Sequence, residues 1–224
     1  MAVQTIPIVA QHASSDDGGR PQIAGGWRMW LLPAVSLIVL AGAALAIDMP
    51  VAQWAHGRNY PRLVRELMSL AEAFGHGVGV TLALVTVYTL DPLRRRLLPR
   101  TVLVVLAGGC GANLLKLLIS RSRPSATELA SVEGWQTFAA WLPFGRNGSA
   151  WQSFPSAHTA TAVALALTLA MLYPRGKLLF AVFALAVGVQ RVLGSAHYPS
   201  DVLAGAAVGW FCAVGILRRG KMRN

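Results

Sequence analysis

Acidic residues are scarce in this chain: 9 Asp and Glu stand against 20 Lys and Arg in 224 residues. Charged residues of both signs make up 13%, where an ordinary soluble domain carries about 25%. A soluble globule of this size needs a polar shell, and these charges are too few to build one. Cysteine is nearly missing as well, and Cys110 and Cys212 both lie inside apolar stretches. That excludes a disulfide framework and a cysteine-based metal site, and both thiols read as small buried hydrophobes. What is present is apolar. Hydrophobic residues reach 54% and the mean hydropathy is +0.51, which excludes a disordered chain. The net charge of +11 sits in short cationic clusters between apolar runs, a pattern of membrane topology and not of nucleic-acid binding.

Six apolar segments are visible: about Trp30 to Ile47, Ala73 to Leu90, Thr101 to Ile119, Ser156 to Tyr173, Leu178 to Leu193 and Val202 to Leu217. A helix needs about 20 residues to cross a bilayer, so several of these have a short strictly apolar core. They predict an all-α fold, a bundle of six transmembrane helices over residues 27–217. Residues 1–26 are polar and glycine-containing and read as a flexible cytoplasmic tail. Residues 218–224 read as a basic cytoplasmic tail. No basic stretch followed by a short apolar run and a cleavage site opens the sequence, so the first span is expected to act as its own insertion signal.

Orientation follows from the cations. Arg20, Arg28, Arg94, Arg95, Arg96, Arg100, Arg175, Lys177, Arg218, Arg219, Lys221 and Arg223 fall on one side of the six spans. A smaller set, Arg58, Arg62, Arg65, Lys116, Arg121, Arg123, Arg146 and Arg191, falls on the other. The positive-inside rule puts the first set, and both termini, in the cytoplasm. Between the first two spans, Leu63, Val64, Leu67, Leu70, Ala71 and Phe74 recur at helical spacing opposite Arg62, Arg65, Glu66, Ser69 and Glu72. This predicts an amphipathic interfacial helix, with Pro61 in its first turn. Gly205 and Gly209 form a small-xxx-small pair, read as packing within the molecule.

Polar residues at span ends are costly in a membrane and point to function. Lys116 ends the third span and Arg123-Pro124 opens the loop beyond it. Pro155-Ser156-Ala157-His158 opens the fourth span, Arg191 ends the fifth, and His197 and Asp201 open the sixth. All of these fall at one membrane depth, on the outer side. Lys116, Arg123 and Arg191 are three cations with one acid, Asp201, nearby in sequence. They call for an anion, and arginine forks suit phosphate oxygens. The N-terminus of the fourth span adds free backbone N–H groups and the Ser156 hydroxyl. His197 and Asp201, four residues apart, suit a nucleophile and the acid that orients it. His158 suits a general acid for the departing oxygen.

These residues resemble three motifs of the type 2 phosphatidic acid phosphatase (PAP2) superfamily, KxxxxxxRP, PSGH and SRxxxxxHxxxD. They stand here as Lys116 to Arg123-Pro124, Pro155-Ser156-Ala157-His158, and Gln190-Arg191 through His197 to Asp201. The resemblance implies a membrane lipid phosphatase that forms a phosphohistidine on His197, partnered by Asp201. His158 is then the general acid. Lys116, Arg123, Ser156, the backbone N–H of Ala157, and Arg191 hold the phosphate. It implies no metal and no cofactor, and an active site facing the periplasm or exterior of a bacterial inner membrane. Two positions depart from the motifs: Ala157 replaces the usual glycine, and Gln190 the usual serine. Neither change touches the histidines, the acid or the cations.

The site lies where a lipid phosphate presents its head group, and the bilayer itself is the other partner. The outer loop carries Trp135, Phe138, Trp141, Phe144 and Trp151, which suit an aromatic lid or interface anchor. It holds little positive charge beyond Arg146. That favours undecaprenyl diphosphate, or phosphatidate or phosphatidylglycerol phosphate, over lipid A. A lipid-to-lipid phosphotransferase is the same chemistry with another acceptor. A transporter or anion-binding protein is a different class, but repeated halves and broken mid-membrane helices are not seen in the sequence.

Overall fold

The structure is a computed structural model that describes residues 27–58, 60–141 and 148–219. The N-terminal tail reading, most of the C-terminal basic tail, Phe144 and Arg146 lie outside the described residues. All six apolar segments are helical. They form α1 (Trp27–Ala44), α4 (Gly77–Leu90), α5 (Leu98–Leu118), α6 (Ala157–Leu172), α7 (Lys177–Leu193) and α8 (Pro199–Arg219). Two further helices, α2 (Asp48–His56) and α3 (Arg62–Ala71), lie between α1 and α4.

α6 is the axis of the bundle. It packs against α5, α7 and α8, and α1 closes on the far side of α8. Ala160, Ala162, Ala164 and Leu165 of α6 are wholly buried. Small residues set the spacing. A Cβ on Gly205 would stand 2.3 Å from the Ser156 carbonyl oxygen, and one on Gly209 would stand 2.2 Å from that of Ala160. The pair therefore brings the backbones of α8 and α6 into contact, as the sequence suggested. Around this core the outward faces are apolar: Ile38, Leu82, Leu103, Leu114, Leu185 and Phe211 are all exposed. An apolar exterior over an alanine- and glycine-rich interior suits lipid as the surrounding solvent.

Three helical stretches are long and apolar enough to cross a membrane: 95–118, 174–193 and 199–218. Two bent pairs pass the same test together, α1 with α2 at 74° and α3 with α4 at 66°. α6 is apolar but shorter, at 16 residues. The chain is a multi-pass membrane protein. The apolar run from Trp30 to Ile47 predicts a single span; in the structure it ends in a bend into α2. The second bend falls at Gly75, where a Cβ would stand 2.7 Å from the carbonyl oxygen of His158. The turn after α3, Glu72–Gly75, is thus seated directly against the start of α6.

The all-α expectation needs one amendment. The loop after α5 forms a two-stranded antiparallel pair, β1 (Ile119–Arg121) with β2 (Phe138–Trp141). The buried-thiol reading is also corrected for Cys110, which faces outward; Cys212 is half-buried, and both are free. At the end of the bundle opposite α6's first turn, two arginines cap helices. Arg94 Nε donates to the Leu172 carbonyl at the end of α6 (2.8 Å), and Arg100 Nη2 donates to that of Ile216 in α8 (2.7 Å). Cations there complete the last carbonyls and the negative dipole end of each helix.

Candidate active site

The four helix ends foreseen in the sequence do converge. Lys116 lies in the last turn of α5, His158 in the first turn of α6, Arg191 in the last turn of α7, and Asp201 in the first turn of α8. The connections are direct. The Ser156 N–H donates to the Asp201 carbonyl at 3.0 Å, so the starts of α6 and α8 are joined. The His197 N–H donates to the Arg191 carbonyl at 3.2 Å, tying the nucleophile candidate to the end of α7.

His197 is almost fully buried. Its Nδ1 faces Asp201 Oδ2 at 3.7 Å, which turns Nε2 away from the acid. That separation is longer than a hydrogen bond, and Nδ1 has no hydrogen-bond partner. Burial holds the imidazole below its ordinary pKa; Asp201 opposes this, while Lys116 and Arg123 reinforce it. The unprotonated ring is therefore favoured, as a nucleophile requires. Arg123 sits in the same field, with Arg191 and Asp201 acting on it, and its buried Nε is likewise without a partner. A buried guanidinium N–H left open beside an imidazole suits an anion's oxygen.

Ser156 carries a duty that the sequence reading did not assign. It is the N-cap of α6: its Oγ accepts from the Thr159 N–H at 3.4 Å and from Thr159 Oγ1 at 2.9 Å. The hydroxyl retains its own proton to donate. Ala157 is the first helical residue, so the N–H groups of Ala157 and His158 have no intrahelical acceptor. Among described non-glycine residues, positive φ occurs at Arg58 and Ser195. Ala157 therefore holds the helical backbone that alanine accepts, and the glycine of the family motif is not required for conformation.

Three charged residues missed as site components complete the cluster. Glu72, placed by periodicity on the polar face of the α3 segment, reaches into the site. Its Oε1 lies 2.7 Å from Arg191 Nη2 and 3.8 Å from His158 Nε2. Gln190 closes the ring: its Nε2 donates to Glu72 Oε2 at 3.0 Å, and its Oε1 accepts from Arg191 Nε at 2.5 Å. The residue that replaces the motif's serine thus fastens the arginine to an acid from another element.

The other two are Asp48 and Arg121. Arg121 is wholly buried and lies between the rings of Phe138 (4.3 Å) and Tyr198 (4.1 Å). Its Nη1 donates to Asp201 Oδ1 at 2.5 Å, and its Nη2 to Asp48 Oδ2 at 2.6 Å. Asp201 Oδ2 accepts from Ser153 Oγ at 2.6 Å and from the Tyr198 N–H at 2.9 Å. The acid behind His197 is therefore itself held from three sides. One sequence signal pointed to Asp48: a lone acid at the end of an apolar span is expensive unless partnered. Phe138 is correspondingly a packing residue and not part of a lid. Trp135 is exposed and donates its indole N–H to Glu133.

Among the described residues, no three His, Cys, Asp or Glu side chains gather closely enough to hold a metal ion. The donor set is instead cationic and suits a phosphate.

Comparison with known proteins agrees with this chemistry. The family model described as the PAP2 superfamily matches residues 97–224. A lipid A 1-phosphatase of Rhizobium etli is 30% identical over 202 residues, covering 83% of this chain and 82% of that protein. A lipid A 1-phosphatase of Rhizobium johnstonii is 44% identical over 108 residues, covering 48% of this chain and 41% of that protein. Less than half of the latter's length is thus spanned. The crystal structure of LpxE from Aquifex aeolicus superposes with a TM-score of 0.61 at 21% identity, over 77% of this chain and 96% of that one.

Proposed function

This chain belongs to the PAP2 superfamily, and from that premise we propose that it hydrolyses a lipid phosphate through a phosphohistidine, without a metal. The observation that carries the reading is the His197 geometry: Nδ1 faces Asp201, and the cations Lys116 and Arg123 act on the ring, with Arg191 acting in turn on Arg123.

In this mechanism Lys116, Arg123, Arg191, the Ser156 hydroxyl and the Ala157 N–H bind the phosphate oxygens. They stabilise the charge that builds on those oxygens in the transition state. Nε2 of His197 attacks phosphorus, and Asp201 stabilises the imidazolium that forms. His158 gives its proton to the departing lipid oxygen. Water then attacks the phosphohistidine, with His158 accepting the water's proton, and inorganic phosphate leaves.

The six helical segments are read as six crossings, with α3 lying in the interface. Its exposed Leu63, Leu67 and Leu70 support that placement. The domain limits stay at residues 27–217, between cytoplasmic tails. Arg95, Arg96, Arg175, Lys177 and Arg218 gather at the end opposite the site, so that end faces the cytoplasm and the site faces the periplasm. Four cations of the site end, Lys116, Arg121, Arg123 and Arg191, are occupied by the site itself, which strengthens the asymmetry. As substrate, the names of the two relatives favour a lipid A phosphate over undecaprenyl diphosphate or a glycerophospholipid phosphate.

The test is phosphate release by detergent-purified protein in chelator, on lipid A, phosphatidate, phosphatidylglycerol phosphate and undecaprenyl diphosphate. Release that His197→Ala abolishes, and that chelator leaves intact, is the expected result. Release that survives His197→Ala overturns the nucleophile assignment. Loss of release in chelator with restoration by metal overturns the metal-free mechanism.

A further inference from the structure

Beside the phosphate cradle lies a second cavity that the proposed reaction does not use. It has a volume of about 480 Å³ and opens between the α2–α3 connection and the end of α7. This falls in the range of about 300–1,000 Å³ common to small-molecule sites. Arg58, Arg65 and His56 line it, and among the described residues no acidic one does. Among the described residues, neither guanidinium has an ion-pair or hydrogen-bonded partner, although Arg62 next to them is paired with Glu66. Hydroxyl and amide groups of Tyr60, Ser69, Ser125, Ser195 and Gln190 make up most of the remaining wall.

Two features tie this cavity to the reaction centre. Gln190 is common to both: it lines the cavity and holds Arg191 through its Oε1. The Ser125 N–H, two residues past Arg123, donates to the Ser195 carbonyl at 3.0 Å, so two residues of the cavity wall are bonded to each other next to Arg123. The wall is also strained. Arg58 (φ 52°) and Ser195 (φ 53°) are the positive-φ non-glycine residues among those described, and both line this cavity. Such backbone is costly for a side-chain-bearing residue and persists where the surroundings fix it. The Tyr60 hydroxyl, donating to the Leu193 carbonyl at 2.8 Å, is one such brace.

We infer that this cavity binds a second phosphate carried on the substrate's own head group, with sugar hydroxyls against its serines. The inference rests on the lipid phosphatase reading and narrows it to a sugar lipid with two phosphates. Two unpaired guanidinium groups in an acid-free pocket are an anion site by the same logic as the cradle. The exposed arginines are also placed to meet anionic head groups of the bilayer, which the experiment separates.

Binding is measured with the inert His197→Gln protein in neutral detergent, so the result does not depend on turnover. The ligands are a sugar lipid with two phosphates and the same lipid with only the scissile one. Adding Arg58→Gln and Arg65→Gln is expected to weaken the bisphosphate about ten-fold, the scale of a lost charged hydrogen bond. The monophosphate should change less than two-fold. With His197 intact, the double variant should release phosphate from phosphatidate within two-fold of wild type. Equal weakening of both sugar lipids, or of neither, overturns the inference. So does a loss seen only in anionic vesicles, which assigns the arginines to bilayer head groups. If the wild-type protein releases phosphate from no lipid while the binding difference stands, the catalytic reading fails and the second site survives.

Discussion

Arg121 Nη1 lies 2.5 Å from Asp201 Oδ1, and both side chains are wholly buried. Its second nitrogen, Nη2, meets Asp48 Oδ2 at 2.6 Å. Asp48 in turn accepts the Ser200 N–H at 3.0 Å and also the Ser200 hydroxyl. One guanidinium therefore joins the α1–α2 bend, the end of β1 and the first turn of α8. The chain supplies a positioning device behind His197, built from wholly buried charges.

Removing the arginine should show this first as lost stability. Arg121→Met leaves two buried carboxylates without their counter-charge, a change that costs about 3–5 kcal/mol. For a protein of this size that corresponds to a fall of about 10 °C in melting temperature in detergent. Asp48→Asn added to Arg121→Met should recover part of the loss, because one unpaired charge is gone. An Arg121→Met protein that melts with the wild type would mean the triad holds nothing.

The sequence exposed the parts of this site that are fixed by short-range spacing. Lys116 with Arg123, Ser156 with His158, and His197 with Asp201 each sit within one motif, and a single helix end or turn presents them together. The helices were legible for the same reason, since apolar runs of this length have few other readings. Glu72, Asp48 and Arg121 were not legible as site residues. Each is a lone charge whose partner lies far along the chain, and the two acids reach theirs beside bends. The bend before α2 brings Asp48 to Ser200, and the bend after α3 brings Glu72 to Arg191. Helical periodicity assigned Glu72 to a polar face correctly but could not say what that face meets. The β1–β2 pair was hidden because three- and four-residue strands have too little pattern to read.

Glu72 stands where it competes with substrate. Its carboxylate, 2.7 Å from Arg191 Nη2, offsets one cation of the cradle and repels an arriving phosphate. Glu72→Gln keeps the shape and removes that charge. Inhibition by inorganic phosphate should then tighten several-fold, by about 1 kcal/mol for one partly exposed charge pair. Phosphate inhibition that is unchanged or weaker would show that Glu72 serves only to hold Arg191 in place.

Burial lowers the His197 pKa from its ordinary value of 6.5, so the folded protein holds this ring neutral where the unfolded chain protonates it. The unfolded state then binds the extra proton, and stability falls as pH drops below about 6.5. The contribution is fully present above that pH. His197→Gln removes the group and should flatten this part of the curve, measured as melting temperature between pH 7 and pH 5. Parallel curves for the two proteins would mean that His197 keeps its ordinary pKa when folded. The same direction predicts that phosphate release persists below pH 6.5, because the nucleophile remains unprotonated there.

The contact of α8 with α6 sets the position of Ser156, and glycine substitution reads that directly. A Cβ at Gly205 would stand 2.3 Å from the Ser156 carbonyl oxygen and 3.2 Å from its nitrogen. Gly205→Ala must therefore push Ser156 away from α8 and stretch the bond from the Ser156 N–H to the Asp201 carbonyl. Ser156 begins the helix that carries His158, and Asp201 backs His197, so the two histidines separate. A displacement of about 1 Å costs on the order of a hundredfold in rate. Gly42→Ala in α1 is the matched control, since nothing lies within 4 Å of its Cβ. Both changes replace a helical glycine with alanine and carry the same intrinsic gain in helix propensity. Any difference between them is therefore packing. The expected result is near-normal phosphate release for Gly42→Ala and a large fall in kcat for Gly205→Ala. Equal activity would mean that α6 and α8 tolerate a wider gap than their backbone contact implies.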